Sequence, residues 1–180
     1  VTDFVESWRR LGLRILPPTW PSLVIAVCAG LTLGAYRAIA DVTIFAGAIG
    51  EMELQTISKI PALARILIFI PACITDELIF RLVVVSTIAW LLTLATGERV
   101  WCYWTAILIT ALAIYPAWHI GYLQTLTPST MVVLRQIFTH GCAGILWGYL
   151  YWRFGLLASI LGHIGEHVSL EPLTSLLLGA

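Results

Sequence analysis

The stretch from Ile60 to Ala95 carries four charged side chains, Arg65, Asp76, Glu77 and Arg81, in an otherwise apolar or small-residue run. In a bilayer such a run must be helical, because no water is present to satisfy its backbone N–H and C=O groups. As one straight helix it extends about 54 Å, well past a hydrocarbon core about 30 Å thick. The sequence therefore predicts either a break or bend near Pro71 or a long helix that protrudes from the membrane.

The rest of the chain has the same character. Of 180 residues, 59% are hydrophobic and 11% charged, against about 45–50% apolar and about 25% charged in a soluble domain. At about 20 residues per crossing, this length holds at most about six or seven spans and no separate soluble domain. The expected fold is an all-α, multi-pass transmembrane helical bundle of about six membrane segments. Ten Lys and Arg balance ten Asp and Glu, which excludes the basic footprint of a nucleic-acid binder. Cys28, Cys73, Cys102 and Cys142 lie in apolar stretches without C-x-x-C spacing, so they read as packing residues, with neither a disulfide framework nor a thiolate zinc site. No secretory leader is read at Val1, and either end can be a truncation point.

Along the chain, Phe4, Val5, Trp8, Leu11 and Ile15 oppose Arg9, Arg10 and Arg14 at helical spacing, the pattern of an interfacial helix. Trp20 to Ala40 is the first span and Asp41 to Lys59 a mixed connection. After the run to Ala95 comes a turn at Gly97-Glu98-Arg99, a span from Val100 to Leu123, a turn at Thr127-Pro128-Ser129 and a helix from Met131 to Phe154. Gly141, Gly144 and Gly148 on that helix allow close approach in lipid. Gly155 opens the last helix. Residues 1–59 are read as the N-terminal interfacial helix, first span and connection, and 60–180 as the functional core. Counting positive charges gives a weak orientation, with Arg9, Arg10 and Arg14 opposed by Arg37, Lys59 and Arg65.

Ionisable groups inside apolar spans are costly and usually face a partner or a wet cavity. Here they fall in three windows: Asp76, Glu77 and Arg81; then His119; then His163, Glu166 and His167. Glu77 and Arg81, four apart, share a helix face and form an orienting ion pair. Asp76 is turned about 100° from Glu77, which leaves one acid over as a general base. His163 and His167, also four apart, present two imidazoles on one face, suited to a metal, a water or an oxyanion. His140 has no such company on its own helix and reads as structural.

These residues resemble the motifs of the CPBP family, also called the CAAX-protease, bacteriocin-processing or Abi family, of intramembrane glutamic-type endopeptidases. Asp76-Glu77-Leu78-Ile79-Phe80-Arg81 is similar to its E-E-x-x-x-R motif, Tyr115-Pro116-Ala117-Trp118-His119 to F-x-x-x-H, and His163-Ile164-Gly165-Glu166-His167 to H-x-x-x-N. The resemblance implies a membrane-embedded protease with a water-filled cavity and no obligatory cofactor. In it Asp76 and His119 prepare a water, His163 and His167 stabilise the oxyanion, and Glu77 and Arg81 orient the site, with Glu77 the alternative base should the helix be rotated. The implied partners are the lipid bilayer and a membrane-associated protein or peptide substrate. The implied location is a bacterial or archaeal cell membrane.

Two departures from the motifs carry expectations. Asp76 is a methylene shorter than glutamate, and a misplacement of about 1 Å is large enough to cost about a hundredfold in rate. His167 stands where the motif has asparagine. It still donates a hydrogen bond, but its charge changes near neutral pH, so a steeper pH dependence is expected.

Two other readings compete. His163-x-x-Glu166-His167 also spells H-x-x-E-H, in which two histidines bind zinc and Glu166 activates water, with His119 or Asp76 as third ligand. The same acids and histidines also suit a catalytically inactive scaffold for a client helix, or a proton pathway.

Overall fold

The computed structural model describes Pro17, residues 19–122 and residues 129–179, with the side chains of residues 120–122 left aside. The expected interfacial helix at Phe4–Ile15 lies outside the described residues, as does most of the turn at Thr127-Pro128-Ser129. The described residues are all-helical and contain no strand. Six helices follow in order: α1 (Trp20–Thr43), α2 (Glu51–Lys59), α3 (Ala62–Thr96), α4 (residues 100–122), α5 (residues 130–154) and α6 (Leu156–Leu178). A single 3-10 turn, Ala46–Ala48, lies between α1 and α2. Among the described residues, three helical stretches are long and apolar enough to cross a membrane: Trp20–Thr43, Ala62–Thr96 and Val100–His119.

Local chemistry sets the ends. Thr19 caps α1 through a reciprocal capping box with Ser22, which satisfies donors that the first turn leaves orphaned. Gly155, at φ 90°, separates α5 from α6, a conformation that side-chain-bearing residues avoid.

Of the two outcomes expected for α3, the long helix is the one observed. Its 35 residues continue through Pro71 and extend about 52 Å at 1.5 Å per residue. The irregularity lies further on, where Glu77–Val85 widens into a π-helical segment. Leu63, Leu67, Ile68, Val83, Leu91 and Leu94 on α3 are exposed, as suits side chains that meet lipid rather than water.

Packing relies on small residues. A side chain at Gly30 or Gly34 of α1 would clash with the α6 backbone at Gly162 and Glu166. On α5, a Cβ at Gly144 would lie 2.8 Å from Ala111 Cβ, and one at Gly148 2.8 Å from Ile107 Cγ2. The close approach expected of the α5 glycines is therefore to α4, while α1 and α6 meet through a second glycine pair. Two buried clusters result: Ala26, Ala143, Trp147, Leu150 and Ala158 join α1, α5 and α6, and Val85, Ala89, Tyr103, Ala106, Ile107 and Tyr151 join α3, α4 and α5.

Buried ion pairs cross these seams. Arg37 of α1 meets Glu166 of α6. Arg65 of α3 donates to Glu171 Oε2 of α6 at 2.7 Å. Arg135 of α5 holds Asp41 at 2.8 Å and Glu53 at 2.6 Å. Arg37 and Arg65 are thus interior charges, 7% and 2% exposed, rather than loop charges of the kind that report orientation.

Candidate active site

Three π-helical segments bracket the polar centre. Glu77–Val85 contains Glu77 and Arg81, Thr110–Ile114 ends just before Tyr115, and Ile137–Gly141 contains His140. A π-turn adds a residue to the helical repeat and re-aims the side chains after it, which is why such turns recur at functional sites.

Glu77 is fully buried. Its Oε1 accepts from His163 Nδ1 at 3.0 Å, its Oε2 accepts from the Ser159 hydroxyl, and Arg81 Nε lies 3.3 Å from Oε2. Ser159 also lies 2.9 Å from the Trp147 carbonyl. Arg81 is fully buried too, with its guanidinium carbon 5.0 Å from the centre of the Tyr115 ring. Its three nitrogens lack a hydrogen-bond partner among the described residues, so the Glu77 charge and the Tyr115 π-face are what offset its burial.

Asp76, one residue earlier, is only half-buried. Its one hydrogen-bond partner among the described residues is the Tyr115 hydroxyl, which donates to Oδ2 at 3.4 Å, long for an O–H···O bond. The Tyr115 ring packs edge-on against Phe80 and His119, with centroids 4.8 Å and 4.4 Å away. Its carbonyl oxygen accepts from His119 Nδ1 at 3.0 Å. That fixes the tautomer of a neutral ring, since Nδ1 must carry hydrogen and Nε2 keeps its lone pair.

His140, read from sequence as structural, lies beside this group. Its ring centre is 4.3 Å from that of His119 and 5.9 Å from that of Tyr115, and its Nε2 is 3.4 Å from Arg37. Its sequence neighbours give no sign of this, because its companions come from α1 and α4.

His163 and His167 do share a face, with stacked rings 5.7 Å apart. His163 lies against Trp147, and His167 stacks on Phe69 at 4.4 Å while its Nδ1 donates to Glu171 Oε1 at 3.0 Å. Glu166 takes no part in that face: it is fully buried and tied to Arg37. Cys73, read from sequence as a packing residue, brings its Sγ within 4.8 Å of a ring nitrogen of each histidine. Its place one helical turn before Glu77 is the available sequence signal.

A family model described as type II CAAX prenyl endopeptidase Rce1-like matches residues 58–168. The chain belongs to this family. Searches of curated proteins and of solved structures returned no match. Membership of the CAAX endopeptidase family makes the chain an integral membrane protein of an intramembrane protease family, with a lipid environment and a membrane-associated substrate. The matched segment contains Asp76, Glu77, Arg81, His119, His140, His163 and His167.

Proposed function

We propose that this protein hydrolyses a peptide bond of a membrane-associated protein or peptide with a water activated by Asp76 and His119. The observation that carries the reading is the contrast between two adjacent acids. Glu77 is sealed and engaged by His163, Ser159 and Arg81, whereas Asp76 is half-buried and touched by one long hydrogen bond. A general base needs an accessible, uncommitted lone pair within reach of water. Asp76 meets that need, and so does Nε2 of His119.

In the proposed reaction the water oxygen bonds to the substrate carbonyl carbon as its proton passes to Asp76, with His119 sharing it. The carbonyl π-bond becomes an oxyanion. In their imidazolium forms His163 and His167 donate through Nε2 to that oxygen, and Glu77 and Glu171 balance their charge through Nδ1. Collapse re-forms the carbonyl, breaks the C–N bond and delivers the proton to the leaving nitrogen, giving a carboxylic acid and an amine, and the acid then passes its remaining proton to the amine or to solvent. Arg81 and Glu77 act as positioning residues that hold His163 and the α3 backbone in place. No step needs a metal.

The family description makes a prenylated CAAX peptide the first substrate to test, beside a library of tagged membrane peptides. The detergent-purified protein is assayed with and without chelator, together with Asp76→Ala, Glu77→Ala, His119→Ala and His163→Ala. Cleavage that survives chelator and is lost in Asp76→Ala and His119→Ala supports the reading. Cleavage lost on chelation, or retained in Asp76→Ala, overturns it.

A further inference from the structure

Cys73, His163 and His167 come from α3 and α6, and one donor atom from each lies within 4.8 Å of the other two. This is slightly wider than the spacing of roughly 3.5 Å that tetrahedral ligation with bonds of about 2.0–2.3 Å demands. Ligation would draw the three side chains together by about 1 Å. What sets the group apart from a chance cluster is how the two imidazoles are held. His163 donates Nδ1–H to Glu77 Oε1 at 3.0 Å, and His167 donates Nδ1–H to Glu171 Oε1 at 3.0 Å. Each ring therefore has its Nδ1 bound to a carboxylate and its Nε2 left over. That is the carboxylate–histidine–metal arrangement that fixes a ligand's tautomer and raises its basicity. Both carboxylates are themselves anchored, Glu77 by Ser159 and Arg81 and Glu171 by Arg65.

We propose that Cys73, His163 and His167 form a site for a thiophilic divalent cation, with zinc the cation its one sulfur and two nitrogens suit best, and that the bound cation blocks the oxyanion site. The second half rests on the catalytic reading above. Sulfur with imidazole selects zinc over hard cations such as magnesium or calcium. On binding, the Cys73 thiol and the Nε2–H of each imidazolium lose their protons to solvent, and the Cys73 sulfur bonds to the metal. The Nε2 lone pairs of His163 and His167 bond to the same ion. A nitrogen that ligates metal carries no hydrogen, so it no longer donates to a developing oxyanion. The cation and the transition state then compete for the same two rings. This differs from an H-x-x-E-H zinc site, since the third ligand is a thiolate on another helix and Glu166 is bound to Arg37.

Binding is tested apart from catalysis. The full chain, stripped of metal in detergent, is titrated with Co²⁺, whose thiolate charge-transfer band reports sulfur ligation, and the cobalt is then displaced with Zn²⁺. One equivalent with a charge-transfer band is expected. The band should be lost in Cys73→Ser, and zinc affinity should fall at least about tenfold in Cys73→Ser and His167→Asn and about 10–100-fold in Glu171→Gln. Cys102→Ser should match wild type. A melting curve for each variant separates loss of the site from loss of the fold. Absence of cobalt binding by folded wild type, or a band that persists in Cys73→Ser, overturns the site. For the second half, one equivalent of Zn²⁺ should abolish cleavage of a substrate the metal-free protein cuts, and Cys73→Ser should relieve the inhibition. Activation by Zn²⁺ overturns that half and leaves the binding result standing.

Discussion

Asp76 and Glu77 are neighbours on one helix and share a charge, yet the fold uses them in opposite ways. Glu77 is fully buried, with a histidine, a serine and an arginine around it. Asp76 is half-buried and meets a single hydroxyl at 3.4 Å. The turn of about 100° between successive helical residues places one acid among α6 partners and the other against Tyr115 of α4. The contrast teaches that, in a site made of charges in an apolar bundle, a well-satisfied group is framework, whereas a poorly satisfied one retains the capacity to do chemistry. Breaking a buried ion pair by removing one partner costs about 3–5 kcal/mol. Changing a half-exposed acid away from such a network usually stays within about 0.5 kcal/mol.

The comparison breaks most sharply on activity. Asp76→Asn and His119→Ala should each lower the cleavage rate by about 10²–10⁴, the usual weight of a general base, with the melting temperature in detergent close to wild type. An Asp76→Asn protein that melts early and cleaves normally would place Asp76 in the framework instead. Glu77→Ala comes next. It should destabilise the folded protein by about 3–5 kcal/mol, because Arg81 already lacks any hydrogen-bond partner among the described residues and would lose its compensating charge. Measured by thermal unfolding, a loss under about 1 kcal/mol would mean that Arg81 finds other compensation.

Much of this contrast is legible in the order of residues alone. The helical repeat gives the spans, and i,i+4 spacing gives both the Glu77–Arg81 pair, observed at 3.3 Å, and the stacked His163 and His167 rings. The glycines of α5 announce a close helix contact. What sequence cannot supply is whatever depends on a second helix. Arg37 and Arg65 read from sequence as charges counted for orientation and prove to be buried partners of Glu166 and Glu171. His140 looks solitary and packs on His119. The π-helical segments at Glu77–Val85, just before Tyr115 and around His140 have no local signature either, since the energy that keeps a widened turn comes from the tertiary contacts it permits.

A subtler test comes from the two places where the first two motifs depart from the family pattern. At position 76 the chain is a methylene short of glutamate, and at position 115 it has a tyrosine where the motif has phenylalanine. Those two side chains touch each other through the Tyr115 hydroxyl and Asp76 Oδ2. A shorter acid facing a longer ring occupies much the same space as a longer acid facing a shorter ring. Asp76→Glu alone should therefore push the carboxylate against the hydroxyl and lower the rate by about tenfold, within the range that misplacement by a fraction of an ångström produces. Asp76→Glu with Tyr115→Phe should recover to within about threefold of wild type, a coupling of about 1 kcal/mol. Purely additive losses would show that the two substitutions are unrelated.

The smallest effect belongs to Tyr115→Phe by itself. The ring that packs on Phe80 and His119 is kept, as is the backbone oxygen that orients His119 Nδ1. The group removed is one hydroxyl, whose bond to Asp76 is long at 3.4 Å. A hydrogen bond of normal length to a carboxylate contributes about 1.5–3 kcal/mol, and one this long contributes well below that range. The rate should fall about two- to threefold, with stability unchanged, as read from steady-state cleavage and a melt on the same preparation. A fall as deep as that of Asp76→Asn would make the hydroxyl a catalytic donor rather than a spacer. It would also add Tyr115 to His119 as a second working residue on α4.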